Sequence, residues 1–332
     1  MALVKKEMRE LFSKIVDSRA NDQDQKDLES VVKDIFGDGK TVITSREIEE
    51  FNALIIETAD SVSKVKIEQM LSILADVKAQ AIDDQVMIKI PERFRADFVI
   101  AANGASPQLT RVTGQKQKLA QRQTAQIGLT YNPRDLVSDT VTHFNELVAD
   151  VVEAKVQFFF KEIEKLSKSA LINVIPKNNV LTGAGLLIKD FNKTIDTMAR
   201  LGARPLLIAD PLLIGALASQ DLQNVSDSDK TQITQNLVVE RVGHANAAPL
   251  INQFVDLDNS ETAFDVQTGY VVSGAGNYKP FQVRTYGPMF QNSTSKWENG
   301  TVQFQAYFEF SLDLVQSRYF GVIQDTSIKI GS

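Results

Sequence analysis

The longest regular pattern in the chain runs from Asn132 to Ser169, where apolar residues recur at the spacing of an α-helix. Charged residues occupy the opposite side, so the pattern predicts a half-buried helix of about 35 residues and roughly 50 Å. Asn132 suits its N-cap and Pro133 its first turn. The stripe consists of Val137, Val141, Phe144, Val148, Val152, Val156, Phe159, Ile163 and Leu166. We call this the spine helix. Because it is longer than a compact two-layer domain needs, it predicts an elongated subunit, with a long bundle helix as the alternative.

The strongest strand pattern lies near the C-terminus. Apolar and polar residues alternate without a break from Thr301 to Leu314, which predicts a β-strand of about 14 residues and roughly 46 Å. Asn299 and Gly300 precede it as a hairpin turn signal, which pairs the strand with the region Phe281–Phe290. Since this hairpin is nearly as long as the spine helix, we expect its apolar face to pack along that helix.

Three segments near the N-terminus show helical spacing with charged faces: Leu3–Val16, Leu28–Phe36 and Ile48–Leu74. Thr44 and Glu47 match a capping box that would start the third helix. Residues 1–85 also carry 12 Lys and Arg against 18 Asp and Glu, which accounts for the whole net charge of −6. The pattern predicts an acidic helical arm attached to a neutral body.

Residues 86–131 differ in character from the segments on either side. Strand-like pieces at Val86–Ile90, Asp97–Ala101 and Gln126–Tyr131 predict a long extended excursion of two strands. Such a hairpin buries too little apolar surface to be stable alone. We therefore expect it to lie on another subunit.

The same segment is basic, because no acidic residue lies between Asp97 and Asp135. Its candidate interface residues are Arg111, Lys116, Lys118 and Arg122. We expect their counter-charges on the acidic arm of an adjacent subunit or on its spine helix. The candidate residues there are Glu146, Asp150 and Glu153. Nucleic-acid binding is the alternative, although the basic part lacks the aromatic residues on which bases stack.

The middle of the chain reads as an α/β unit. A helix over Leu186–Leu201 ends at Gly202, a strand follows at Pro205–Ala209, and a second helix begins at Asp210 and Pro211. Further strands are predicted at Ile233–Val242 and Ile251–Leu257.

Composition removes several classes of chemistry. The chain has no cysteine, which excludes disulfides, thiolate metal sites and cysteine nucleophiles, and its only histidines are His143 and His244. No apolar run reaches the roughly 18 residues of a membrane span, and no signal-peptide pattern opens the chain. These features predict a cytoplasmic protein that does not bind membranes.

Residues 34–47 imitate two ligand-binding motifs. Asp34 stands where a phosphate-binding loop needs its first glycine. In a calcium loop Phe36 would occupy a ligand position, and the glutamate comes too late. A glycine turn leading into the next helix is the favoured interpretation. A turn is also favoured over a metal site for the carboxylates Asp256, Asp258 and Glu261. No catalytic residue, metal or cofactor is predicted.

In their order along the chain, these parts resemble the major capsid protein of tailed bacteriophages, whose fold encapsulin nanocompartments share. The likeness is carried by the spine helix entered at Asn132 and Pro133, by Ala203–Pro211 in the α/β unit, and by a final strand running into Val315–Ile323. It covers nearly the whole chain and is architectural. It implies an α+β fold whose parts are an N-terminal helical arm over 1–85, an extended loop over 86–131, a peripheral domain over 132–170 with 272–332, and an axial domain over 171–271.

The resemblance also implies a function. Many copies of the chain would assemble as pentamers and hexamers into an icosahedral shell that encloses double-stranded DNA, without enzymatic activity. Scaffold, portal and decoration proteins would be further partners, and assembly would take place in the cytoplasm of a bacterial host. An encapsulin-like cage for cargo is the nearest alternative, and a calcium- or nucleotide-binding protein that uses residues 34–47 is a more distant one. The acidic arm favours the phage capsid, since a minimal cage has no need of it.

Overall fold

The computed structural model describes residues 44–93, 113–132, 140–171, 174–202, 204–221, 241–250, 252, 254–256, 258–273, 279–296 and 301–330, with five single residues before position 31. Its helices are α1 (Ser45–Leu71), α2 (Thr140–Ala170), α3 (Ile188–Ala199) and α4 (Pro211–Asp221). Its strands are β1 (Ala75–Gln80), β2 (Met87–Arg93), β3 (Thr113–Leu119), β4 (Gln123–Tyr131), β5 (Val180–Gly183), β6 (Leu206–Ala209), β7 (Arg241–Val242), β8 (Ala245–Pro249), β9 (Thr268–Val272), β10 (Phe281–Lys296), β11 (Thr301–Leu314) and β12 (Phe320–Asp325). Some predicted features lie largely or wholly outside the described residues: the helices Leu3–Val16 and Leu28–Phe36, residues 34–43, the strand Asp97–Ala101, Arg111, most of Ile233–Val242, and the turn at Asn299 and Gly300.

A long antiparallel hairpin forms the middle of a four-stranded sheet. Strands β10 and β11 pair from Phe281 opposite Leu314 to Lys296 opposite Thr301. Strand β1 adds to β10 in parallel and β4 to β11 in antiparallel fashion, which gives the order β1-β10-β11-β4. The predicted strand over Thr301–Leu314 and its pairing with the region before it are thus confirmed.

Helix α2 is the predicted spine helix, and its apolar stripe is buried in the described part. Phe144, Val148, Phe159 and Ile163 are each at most 1% exposed. Phe159 lies 5.7 Å from Phe308 and 5.6 Å from Phe310 between ring centroids, on the apolar face of β11. The pair with Phe310 is edge-to-face, a favourable geometry that adds to the burial of the ring area. The packing of the hairpin along the spine helix is therefore confirmed.

Helix α1 begins at the predicted capping box and packs beside α2. The Glu47 backbone amide donates to Thr44 Oγ1 at 3.4 Å, and the Thr44 amide donates to Glu47 Oε2 at 2.7 Å. Two of the open amides at the helix start are satisfied in this way. Phe51 is fully buried against Phe144 of α2 and Tyr131 of β4. Consequently α1 is part of the main core.

The second large sheet has six strands in the order β5-β12-β9-β6-β8-β7. Because successive side chains of a strand point to opposite faces, the strands other than β7 contribute to two clusters. Tyr270 and Val272 of β9 join the main core with α2, whereas Val271 joins α3 and α4. The helix-strand-helix order predicted here is confirmed. Gly202 follows α3 with φ of 118°, a conformation that favours glycine.

Several boundaries differ from those expected. Helix α1 and strand β1 belong to the main core, so residues 44–85 do not form a separate arm. Strand β4 belongs to the four-stranded sheet rather than to the extended loop, and β12 pairs with β5 and β9 in the six-stranded sheet. Residues 254–256 make only an isolated bridge to Thr262, so the strand Ile251–Leu257 was wrong there. These strands are short, and a few apolar residues do not show which sheet they join.

An ion pair is buried between α1 and α2. Lys155 Nζ lies 2.8 Å from Asp60 Oδ1, and its side chain is only 3% exposed. Lys64, which is partly exposed, contacts the other Asp60 oxygen, with 2.7 Å between Nζ and Oδ2. Burial disfavours the charged Asp60, but the two ammonium groups outweigh it and hold the pKa of this carboxyl below its ordinary value of 3.8. Burial lowers the pKa of Lys155, and contact with Asp60 opposes that effect.

We expect Asp60→Asn to lower the free energy of unfolding by about 3 to 5 kcal/mol, because it leaves the Lys155 charge buried without its counter-ion. Joint replacement by Asp60→Leu and Lys155→Met should restore most of the loss, since packed apolar residues need no counter-ion. Lys64→Ala, at the exposed end, should cost no more than about 1 kcal/mol. Urea unfolding of the three variants measures these differences.

The same pair predicts a pH dependence. Since the folded-state pKa of Asp60 is depressed, its stabilisation is present above the ordinary carboxyl pKa and is lost as the pH falls through the folded pKa. As the pH drops below 3.8, the free energy of unfolding of the joint replacement should therefore decrease less than that of the natural chain. Equal acid midpoints in the two proteins would contradict this role of Asp60.

Candidate subunit interface

The two strands β2 and β3 form an antiparallel ribbon, which we call the ribbon. Met87 pairs opposite Leu119 at its base and Arg93 pairs opposite Thr113 at the far end of the described part. It forms a two-stranded sheet of its own, separate from the two larger sheets. The predicted strand Val86–Ile90 is largely confirmed as part of β2, whereas its partner β3 was not among the predicted strands.

The two faces of the ribbon differ in exposure. Ile88 is 2% exposed because its face packs on Ala120 and Val315 at the edge of the main body. On the other face, Met87 is 49% exposed and its cross-strand neighbour Leu119 is 52% exposed. Adjacent apolar side chains left in water on one face of a ribbon are typical of a surface that binds a partner.

The basic residues of the ribbon segment have partners within the subunit. Lys118 Nζ lies 3.2 Å from Asp313 Oδ1 of β11. Arg122 Nη1 lies 3.6 Å from Glu309 Oε2 of the same strand. The expectation that these two cations find counter-charges on an adjacent subunit is therefore corrected. Lys116 is exposed on the ribbon.

The acidic candidates on the spine helix face outward. Glu146, Asp150 and Glu153 are all exposed on α2. Glu146 lies 3.1 Å from His143 Nδ1 on the next turn, which places this histidine on the polar face. Glu153 accepts a hydrogen bond from Gln157 Nε2 at 3.0 Å.

A groove of about 270 Å³ runs between α1 and α2 beside this acidic row. Its residues are mostly apolar and include Met70, Val152, Val156, Phe160 and Phe264, with Lys66 and Glu153 at the rim. Met70 is 43% exposed. The groove and the ribbon face are thus two apolar surfaces bordered by charges.

The remaining candidate chemistry resolves into structure. Asp256 accepts from the amides of Ser260 and Glu261 and closes a turn, as the favoured interpretation predicted. The Ser260 hydroxyl also donates to Asp256, and this bond, together with the amide bonds, holds the pKa of Asp256 below its ordinary value. His244 Nδ1 lies 2.6 Å from Asp196 Oδ1 at an exposed position. Of the motif at 34–47, only residues 44–47 are described, and they start α1.

Comparison with known proteins identifies the family. The model described as "SPbeta prophage-derived putative capsid protein YonB" matches residues 2–324. The chain belongs to the YonB family. A member from Bacillus subtilis (strain 168), described as "SPbeta prophage-derived uncharacterized protein YonB", is 32% identical over 324 residues, which cover 95% of each protein.

The fold of this YonB-family chain is that of a phage capsid protein. A chain in the asymmetric unit of the bacteriophage PhiM1 mature capsid superposes with a TM-score of 0.50, covering 77% of this chain and 87% of that one at 10% identity. The predicted α+β class and the phage capsid fold are therefore confirmed. The family and the fold together support the predicted structural capsid role. Among the described residues, no helix is long and apolar enough to cross a membrane.

We expect Lys118→Glu to lower subunit stability by about 1 kcal/mol, because it sets two carboxylates side by side where Asp313 is largely buried. Lys89→Glu makes the same charge change at an exposed ribbon position and should change stability by less than about 0.5 kcal/mol. Urea denaturation followed by circular dichroism compares the two. Equal midpoints would show that the contact with Asp313 contributes nothing.

Proposed function

We propose that the chain is the major capsid protein of a phage and assembles into a closed icosahedral shell of pentamers and hexamers around double-stranded DNA. Assembly would take place in the bacterial cytoplasm, and the protein would reside in the virion. The observation that carries this proposal is the exposed apolar pair Met87 and Leu119 on a ribbon outside both large sheets. Family and fold agree with it.

The physical argument starts from the incomplete burial of the ribbon. A two-stranded sheet is marginally stable in water unless a hydrophobic face is covered. Among the described residues, the subunit covers the face with Ile88 and leaves Met87 and Leu119 exposed. Docking of the Met87 face on a neighbouring copy would cover the second face. A ribbon on one subunit that meets a different patch on the next is a heterologous contact, and repetition of such contacts by rotation closes rings.

The charges refine where the ribbon would dock. Lys118 and Arg122 contact carboxylates of their own subunit. Lys116 is exposed on the ribbon, and we propose that it and Arg111 supply the basic contact to a neighbour. Their proposed partners are the exposed carboxylates of a neighbouring α2: Glu146, Asp150 and Glu153. Exposed ion pairs contribute at most about 1 kcal/mol each, but they recur at every copy and guide the orientation of docking.

The domain division stays a proposal in modified form. Residues 86–122 would act as the extended loop, the four-stranded sheet with α1 and α2 as the peripheral domain, and residues 171–271 as the axial domain. Scaffold, portal and decoration proteins would be the other partners. An encapsulin-like cargo cage is the alternative; electron microscopy and nuclease-protected nucleic acid in purified particles separate the two.

We expect joint Met87→Ser and Leu119→Ser replacement to leave each subunit folded but to shift the protein from shells to free subunits or small rings. The reason is the loss of the apolar surface that docking would bury. Size-exclusion chromatography with light scattering, followed by electron microscopy, measures the shell fraction. The matched control exchanges the two residues, Met87→Leu with Leu119→Met, and should assemble normally. Normal shells from the serine variant would refute docking through this face.

The proposal includes the absence of catalytic and nucleotide-binding activity. Calorimetric titration of the protein with calcium or with ATP should give no saturable heat, because the motif at 34–47 lacks the residues that either ligand needs. Tight binding that disappears in Asp38→Ala or Lys40→Ala would overturn this part.

A further inference from the structure

The ribbon joins the body through two short links that meet at one side chain. One link connects β1 to β2 and contains Ile82 and Asp84; the other connects β3 to β4 and contains Arg122. The Arg122 guanidinium donates through Nη1 to the Ile82 carbonyl and through Nη2 to the Asp84 carbonyl. One side chain therefore ties the entry of the ribbon to its exit.

The same guanidinium rests on the four-stranded sheet. Its central carbon lies 4.2 Å from the centroid of the Tyr286 ring, and Nη1 lies 3.6 Å from Glu309 Oε2. Tyr286 and Glu309 are direct cross-strand partners of β10 and β11. A cation over an aromatic face and beside a carboxylate is held by both, and the partial burial of this site strengthens the attraction.

The sheet is irregular at this point. The register of β10 shifts between Tyr286 and Phe290, and Gly287 has φ of 69°. A Cβ added at Gly287 would meet the Ile82 side chain at 3.4 Å, so the first link lies directly over the irregularity. β-Bulges bend and twist a strand locally. The links, the bulge and Arg122 thus form one structural unit.

We propose that Arg122 is a positioning residue that sets the angle of the ribbon relative to the four-stranded sheet, and through that angle the place where the ribbon meets a neighbouring copy. The consequence for assembly rests on the proposed function, whereas the angle is a property of the single subunit. A guanidinium suits the task because its planar fork donates to two carbonyls while stacking on a ring. Lysine keeps the charge but is a point donor on a flexible stem.

The test measures the ribbon angle directly. The natural chain has no cysteine, so two introduced cysteines carry spin labels at chosen sites alone. Gln117→Cys on the ribbon and Lys161→Cys on α2 are both exposed. Pulsed electron resonance on labelled protein diluted with unlabelled protein gives the distribution of the distance within one subunit, whether or not the protein has assembled. A second pair, Glu68→Cys with Lys161→Cys, reports on the body.

We expect a narrow ribbon distance for the natural Arg122 and for the charge control Lys89→Gln. Both Arg122→Gln and Arg122→Lys should broaden it at least twofold, while the body distance and the far-ultraviolet spectrum stay unchanged. Glu309→Gln keeps the carbonyl bonds and should remain narrow. A distribution in Arg122→Gln as narrow as in the natural chain would overturn the proposal, and so would full rescue by lysine.

The dependent step has its own measurement. If the ribbon angle guides assembly, Arg122→Lys should give shells of mixed diameter or incomplete shells, whereas Lys89→Gln should give uniform ones. Uniform shells from a variant whose ribbon distance is broad would overturn the link to assembly and leave the positioning role standing. A natural chain that never assembles would refute the proposed function without touching the distance result.

Discussion

The packing of one long helix against one long hairpin is the interaction on which the rest of the structure depends. Phe158 and Phe159 of α2 meet Phe308 and Phe310 of β11 at ring distances between 5.0 and 5.8 Å. Each aromatic side chain buries a large apolar area, so this row supplies much of the hydrophobic stabilisation of the main core. Helix α1 packs on both elements and joins the same core. The subunit is therefore stabilised mainly along the contact between α2 and the hairpin, and the ribbon lies outside this contact.

The six-stranded sheet packs one face on the main core and its other face on the helices α3 and α4. Alternate residues of β9 and β12 face the helices α3 and α4, while Tyr270, Val272 and Phe320 face the spine side. Phe320 lies 4.9 Å from Phe281 at the start of β10, so the two sheets share a hydrophobic junction. Strand β12 follows β11 directly in the chain, and this short connection carries the chain from one sheet to the other. The junction between the two sheets is consequently part of the packed core.

A structural feature can be predicted from the sequence when the residues that determine it lie close together in the chain. The spine helix, the strand Thr301–Leu314 and the box at Thr44 were predictable because period and local spacing determine them. Strands buried on both faces, such as β9, carry no alternation, and their sheet depends on residues far away. The charges at the ribbon show the same limit. Lys118 has no acidic neighbour in sequence, yet its carboxylate partner lies 195 positions later. Asp60 and Lys155, 95 positions apart, gave no sequence signal of a buried pair.

The exposure of the ribbon follows from this division of labour. Ser311 and Asp313 occupy positions of β11 that alternation assigns to solvent, but both are buried. Ser311 contacts the Tyr286 hydroxyl, on whose ring Arg122 rests, and Asp313 contacts Lys118 of the ribbon. The body therefore anchors the ribbon through the polar face of the hairpin while the apolar face holds the spine helix. The contacts that anchor the ribbon involve Lys118, Arg122 and the apolar face with Ile88. What remains outward is the apolar face with Met87 and Leu119. A free subunit leaves such a face in water at a cost in free energy, and a second copy is the partner available at every position of a shell.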